Sequence, residues 1–198
     1  WQFLSTVQSA RKGTFGILGN IVNTLYIIVI TLIIAAPVGI GSAIYLNEYA
    51  KPGRLVRTIE FTTEILSGIP SIIFGLFGMG FFGTTLKLGY SVLTGSFTLT
   101  LMVLPLITRS TQEALKTVPD SYRFGALGIG ATKWYMIRTI LLPSAAPGIL
   151  TGIILSIGRI VGESAALLFT AGSGFQLPKS LFGKLFESSG TLTIQLYL

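Results

Sequence analysis

From residue 13 to residue 47 the chain carries no charged side chain, and it carries none between Glu64 and Lys87 or between Lys87 and Arg109. A charge at the centre of a bilayer costs about 2.5–3.5 kcal/mol even on the gentlest insertion scale, and a spanning helix needs roughly 20 apolar residues. Long charge-free windows are therefore where a chain can be immersed in lipid. Four membrane helices follow, at residues 21–46, 65–86, 88–108 and 144–169, the last interrupted only by Arg159 and Glu163. The second holds Gly68, Ile69, Pro70 and Ser71 with glycines at 75, 78, 80 and 83, so it reads as kinked and closely packed.

Composition agrees. Charged residues make up 11% of the 198, against about 25% in soluble domains, and that is too few to give a soluble protein of this size its polar skin. The fold class is all-α, a polytopic membrane helical bundle, with residues 1–198 forming one transmembrane domain. Cysteine and histidine are absent, which removes disulfide frameworks, thiolate nucleophiles, imidazole bases and the usual zinc and haem ligands. The net charge of +7 lies between the apolar runs and not on one aromatic-rich face, so it reads as an orientation signal and not as a nucleic-acid footprint. Lys51, Arg54 and Arg57 place the first loop in the cytoplasm, and Arg109, Lys116, Arg123, Lys133 and Arg138 do the same for residues 109–143. Both ends then fall outside, a placement that Arg11 and Lys12 fit poorly. With Trp1 first and no signal-peptide order, the chain reads as a fragment.

The 109–143 segment is the specific part. Pro119, Asp120 and Ser121 are a helix start, and Gly128 with Gly130 a stop. Phe124, Leu127 and Ile129 are apolar, and Arg123 and Lys133 rim them. Two readings stay open: an element docking in a partner's groove, or an interfacial helix on lipid headgroups.

Ala126, then Gly130 with three residues between them, and Ile140, Leu141, Leu142 and Pro143 after nine more resemble the EAA signature of ABC importer permeases, the loop that seats such a transporter on its ATPase. The Glu and first Ala of that signature fall on Phe124 and Gly125, a departure that bears on polar contacts more than on docking. Residues 35–50, 67–73, 141–148 and 158–172 resemble the phosphate-specific, Pst-type permeases, and Gly162, Glu163, Ser164 and Ala165 with the run that follows resemble their A-type subunit. The resemblance implies a type I (MetI-like) permease fold of six helices, these four being the second to fifth. It implies a multi-pass protein of the prokaryotic inner membrane, sharing a phosphate path with a homologous PstC-type subunit. The other implied partners are a cytoplasmic ATPase dimer and an extracytoplasmic binding protein. No cofactor is implied for this chain, because ATP and magnesium belong to the ATPase. Phe124, Gly125, Ala126, Gly130, Ile140, Leu142 and Pro143 would couple to the ATPase; Arg109, Arg159 and Glu163 would line the phosphate path. Ser164, Ala165 and Ala166 replace the family's usual Thr-Ala-Pro.

Arg159 and Glu163, at i and i+4, are expected on one helix face about 6 Å apart. Such a pair is either a packing device or a mark on the solute path, where a guanidinium suits a tetrahedral anion. Residues 128–133 mimic a nucleotide loop but lack its Gly-Lys-Ser/Thr ending. A membrane enzyme is disfavoured, since there is no histidine and Asp120 is the only aspartate. A secondary transporter or anion channel is the standing alternative.

Overall fold

The computed structural model describes residues 6–9, 14–51, 53–174 and 183–197. A short antiparallel ribbon, β1 (Val7–Ser9) and β2 (Thr14–Ile17), pairs Val7 with Ile17. The helices that follow are α1 (Leu18–Ile44), α2 (Arg54–Gly68), α3 (Ser71–Gly78), α4 (Val92–Lys116), α5 (Asp120–Gly128), α6 (Lys133–Met136), α7 (Leu142–Gly162), α8 (Ala165–Thr170) and α9 (Leu192–Tyr197). Wide π-helical turns extend α1 over Tyr45–Tyr49 and α3 over Met79–Thr85, and join α6 to α7 over Ile137–Leu141. Among the described residues three stretches are long and apolar enough to cross a membrane: Leu18–Tyr49, Val92–Lys116 and Lys133–Gly162. Arg54–Gly68 and Ser71–Thr85 make a fourth only if the pair counts as one broken span.

Three expected boundaries are corrected. The helix over 65–86 is broken at Ile69 and Pro70, where proline cannot continue the ladder, so that residues 65–68 end α2 and α3 leaves at 103° to it. The continuous helix over 144–169 does not exist: α7 begins earlier, through α6 and its π turn, and stops at Gly162, where Glu163 and Ser164 leave helical conformation before α8. The third span does not stop at Thr108 but runs on to Lys116. Both errors at the charged ends have one cause. A cationic residue marks where a helix leaves hydrocarbon, and the hydrogen-bonded ladder continues beyond that point wherever a core packs against it.

The chain divides into two compact units. The first holds the described residues of 1–34, 68–103 and 157–198. Here α3 crosses α8 backbone against backbone, because a Cβ on Gly75 would stand 2.9 Å from Ala166 Cα. Phe77, Phe81, Phe82 and Phe97 form a ring cluster, with Phe77 stacked on Phe81 at 5.6 Å and Phe82 against Phe97 at 5.3 Å. At the start of α1, Asn20 Nδ2 donates to Gly190 O (3.2 Å), Asn23 Nδ2 to Gly174 O (3.2 Å), and Leu192 N–H to Thr24 Oγ1 (3.0 Å), which fastens residues 190–192 to that helix. Several hydroxyls in these apolar helices bond backward to their own backbone, as Thr98 does to Thr94 O (2.7 Å) and Thr170 to Ala166 O (2.7 Å), whereas Thr31 and Ser96 are buried without such a bond. Where the bond is made, it satisfies a polar group with no water beside it.

The second unit holds residues 35–67 and 104–156. Its core is Ala114, Leu115, Val118, Ala126, Met136, Ile137, Leu141, Ala145 and Ile149, with Ile40, Ile44, Ile140 and Leu142 packed around them. Gly148 lets α7 approach α4, since a Cβ there would meet Ala114 Cβ at 2.6 Å. The segment between α4 and α7 is thus not a loose loop. Its inner side chains belong to a buried apolar cluster.

Candidate functional site

The local sequence shapes α5 from both ends. Pro119 precedes it in extended conformation (φ −57, ψ 140), which ends the preceding chain direction and starts a new helix. At its far end Ala131 N–H donates to Ala126 O (3.0 Å) and Gly130 N–H to Leu127 O (3.0 Å), the paired bonds of a Schellman stop. Gly130 sits at φ +85, which only glycine adopts freely. Between these ends the helix has two unlike faces. Ala126 is buried in the core of the second unit, while Phe124 is 73% and Ile129 87% exposed, with Tyr122 and Leu127 also outward. Trp134 and Tyr135 on α6 add exposed aromatic surface.

The residues expected to couple therefore divide. Phe124, Gly125, Gly130 and Pro143 are on the surface, and a Cβ on Gly125 or Gly130 would meet nothing within 4 Å. Ala126 is buried, and Ile140 and Leu142 are half-buried against the same core, so these three hold the segment in shape from behind.

Arg123 is the feature that sequence reasoning misplaced. Expected on the exposed rim, its side chain is only 16% exposed and its partner Glu48 5%. Nη2 donates to Glu48 Oε1 (2.9 Å) and to Leu115 O (2.9 Å), and Nε reaches the same carboxylate oxygen at 3.3 Å. Nη1 donates to Val118 O (2.9 Å) and Asp120 Oδ1 (3.0 Å). The one sequence signal for this was Glu48 itself, a lone acid closing a long apolar window ahead of a basic loop.

Arg159 and Glu163 are not an ion pair. The i, i+4 geometry requires a helix that continues past Gly162, and this one does not. Glu163 instead accepts from Ala166 N–H at 3.0 Å through Oε1, while its backbone oxygen accepts from Thr193 Oγ1 at 3.0 Å. Arg159 is half-buried on α7, and among the described residues no carboxylate lies in ion-pair range of it. Arg109, in the second unit, lines a polar cleft of about 310 Å³ with Glu60, Glu64, Gln112, Glu113 and Lys116. Its Nε stands 3.9 Å from Glu113, and both side chains are mostly solvated. Three carboxylates in that cleft, Glu60, Glu64 and Glu113, oppose an anion at Arg109. Among the described residues no group of three or more acidic side chains is arranged to hold a metal.

Residues 35–197 match the family of binding-protein-dependent transport system inner membrane components. The chain belongs to that family. It is 40% identical over 172 residues to the probable ABC transporter permease protein YqgI of Bacillus subtilis, an alignment covering 87% of this chain and 58% of the relative. It is 38% identical to the phosphate transport system permease protein PstA of Pasteurella multocida, covering 84% of this chain and 58% of that protein. The PstC protein of Mesorhizobium japonicum is 34% identical, covering 97% of this chain and 69% of that protein. Among solved structures, the inward-facing MetNI methionine ABC transporter superposes with a TM-score of 0.62 at 25% identity, covering 76% of this chain and 70% of that one. The chain thus spans a little over half the length of the first of these relatives. Apart from the short ribbon at Val7–Ile17, the fold of this inner membrane component is the helical permease fold expected from its sequence.

Proposed function

We propose that this chain is the membrane-spanning part of a permease subunit in an ATP-driven importer of inorganic phosphate. The observation that carries the reading is α5: a short helix whose back is fixed in a buried core and whose front offers Phe124 and Ile129 outward. Exposed apolar side chains held at fixed positions suit a groove on a partner protein, and a cytoplasmic ATPase is the partner that an importer of this family needs. The phosphate assignment rests on the PstA and PstC names of the relatives. The second permease subunit would be of the PstC type, and an extracytoplasmic binding protein would deliver the anion. In this arrangement α5 faces the cytosol of a prokaryotic cell, and nucleotide is bound and hydrolysed only by the ATPase.

On the solute side, Arg159 is the better of the two arginines, being half-buried, without a carboxylate in ion-pair range among the described residues, and on a helix long enough to cross the membrane. Its planar guanidinium can present two donors to a tetrahedral oxyanion. Glu163 takes the separate task of starting α8.

The test is uptake of radiolabelled phosphate by proteoliposomes containing both permease subunits, the ATPase and the binding protein. Uptake that stops when ATP or the ATPase is left out supports the reading. Uptake driven by an ion gradient in their absence overturns it in favour of a secondary transporter.

A further inference from the structure

The Arg123 to Glu48 contact joins three elements through one side chain. Arg123 belongs to α5, Glu48 to the π-helical turn that ends α1, and the two backbone oxygens it also holds, Leu115 and Val118, to the end of α4 and the residues just after it. All three guanidinium nitrogens are engaged, and Glu48 Oε1 additionally accepts from Asn47 Nδ2 at 2.7 Å. The last carbonyls of a helix have no partner within it and carry its negative pole, so a cation is well placed there. An ion pair this buried is costly to take from water and costly again to break on one side only, and its planar geometry leaves little play. The same π turn is gripped a second time: Lys133 Nζ, on α6, lies 4.9 Å from the centre of the Tyr49 ring. The residues before and after the exposed tip are therefore both fastened to Tyr45–Tyr49.

Arg123 and Ala126 stand three apart on the inner face of α5, while Phe124 and Leu127 face out. A pull on the outer face is felt at the guanidinium. We propose that Arg123 and Glu48 form the joint through which movement of the ATPase, received by α5, is passed to the ends of α1 and α4. Arg123 is a positioning residue in this scheme and touches neither nucleotide nor solute. The inference rests on the ATP-driven reading above and deepens it.

The experiment uses the assembled complex in proteoliposomes with inorganic phosphate as the solute, comparing Glu48→Gln and Arg123→Lys with the unaltered chain. Both variants keep a hydrogen-bonding side chain and lose either the charge or the planar fork. Expected are normal recovery of the complex, retained ATP hydrolysis, and a rise of about tenfold in ATP consumed per phosphate imported, the size of an ordinary coupling between two sites. An unchanged ratio, with transport and hydrolysis either both intact or both lowered in proportion, overturns the joint. So does loss of assembly in both variants, which would assign the pair to folding. A second readout does not depend on transport. The chain has no cysteine, so spin labels at Ser121→Cys and Tyr45→Cys report on the joint alone. One narrow distance should persist with and without ATP, and Glu48→Gln should broaden it; a distribution indifferent to Glu48→Gln overturns the proposal. An unaltered complex that imports phosphate without ATP would instead remove the parent reading, while the spin-label result would still report whether α5 and the α1 end move as one.

Discussion

Glu163 Oε1 accepts a hydrogen bond from the backbone N–H of Ala166 at 3.0 Å, so from the position before Ser164 it satisfies one of the donors that the first turn of α8 leaves without a partner. Loss of such an acceptor costs about 1 kcal/mol, within a range of roughly 0.5–2. Glu163→Ala should therefore lower the thermal midpoint of the purified complex by a few degrees. Glu163→Gln keeps a carbonyl oxygen at the same place and should stay close to the unaltered value. Equal midpoints for all three would show that the bond does not organise α8.

Arg159 makes no ion pair with Glu163, so the two substitutions should separate. Arg159→Ala is expected to abolish phosphate uptake while the thermal midpoint and ATPase association stay as they were, because no partner is left unsatisfied by its removal. Had the two formed a buried pair, deleting either would leave an uncompensated charge and destabilise by about 3–5 kcal/mol. A large drop in midpoint for Arg159→Ala, or uptake at the normal rate, contradicts this account.

Gly75 is a site where the backbone itself is the obstacle. An added Cβ would stand 2.9 Å from Ala166 Cα and 3.2 Å from its carbonyl oxygen, and neither can rotate away. Gly75→Ala should force α3 and α8 apart and cost about 1–3 kcal/mol, the usual range for overpacking. Gly80→Ala, with nothing within 4 Å of the added atom, is the matched control and should leave the midpoint unchanged or slightly higher. Denaturation followed by tryptophan fluorescence in detergent compares the two.

The lipid-facing character of the chain and the place of α5 were legible in the sequence because each rests on a local rule. Absence of charge marks α1 and α4, and Pro119, Asp120, Gly128 and Gly130 bracket α5 within its own ten residues or so. What failed was non-local or competitive. Arg123 looked like a rim cation because nothing in its neighbourhood announces that Glu48, far away along the chain, and the free carbonyls of Leu115 and Val118 converge on it. Glu163 looked like a salt-bridge partner because i, i+4 spacing assumes an unbroken helix. Whether a carboxylate pairs with an arginine behind it or caps a helix ahead of it is decided by where the backbone turns, and Gly162 gives only a weak sign of that. The burial of Ala126 and the half-burial of Ile140 and Leu142 likewise separate a motif's support from its contact surface, which a one-dimensional pattern cannot do.

Gly130 offers a test of the docking surface that leaves its apolar side chains untouched. At φ +85 it makes the turn that ends α5, and its N–H and that of Ala131 close the stop against Leu127 and Ala126. A side chain in this left-handed conformation costs about 1–2 kcal/mol, less for asparagine, which tolerates it. An added Cβ meets no atom within 4 Å, so strain in the backbone, and not collision within the chain, is what a substitution introduces here. Gly130→Ala should loosen the end of α5, tilt Ile129, and weaken co-purification of the ATPase; Gly130→Asn should weaken it less. Gly128→Ala, one turn position earlier in ordinary helix with open space beside it, should not weaken it at all. The order Gly128→Ala, Gly130→Asn, Gly130→Ala in increasing loss of bound ATPase, read from subunit ratios after affinity purification, follows only if the shape of this turn sets the docking face. Equal retention in all three would instead place α5 against lipid headgroups, which do not read the position of one side chain.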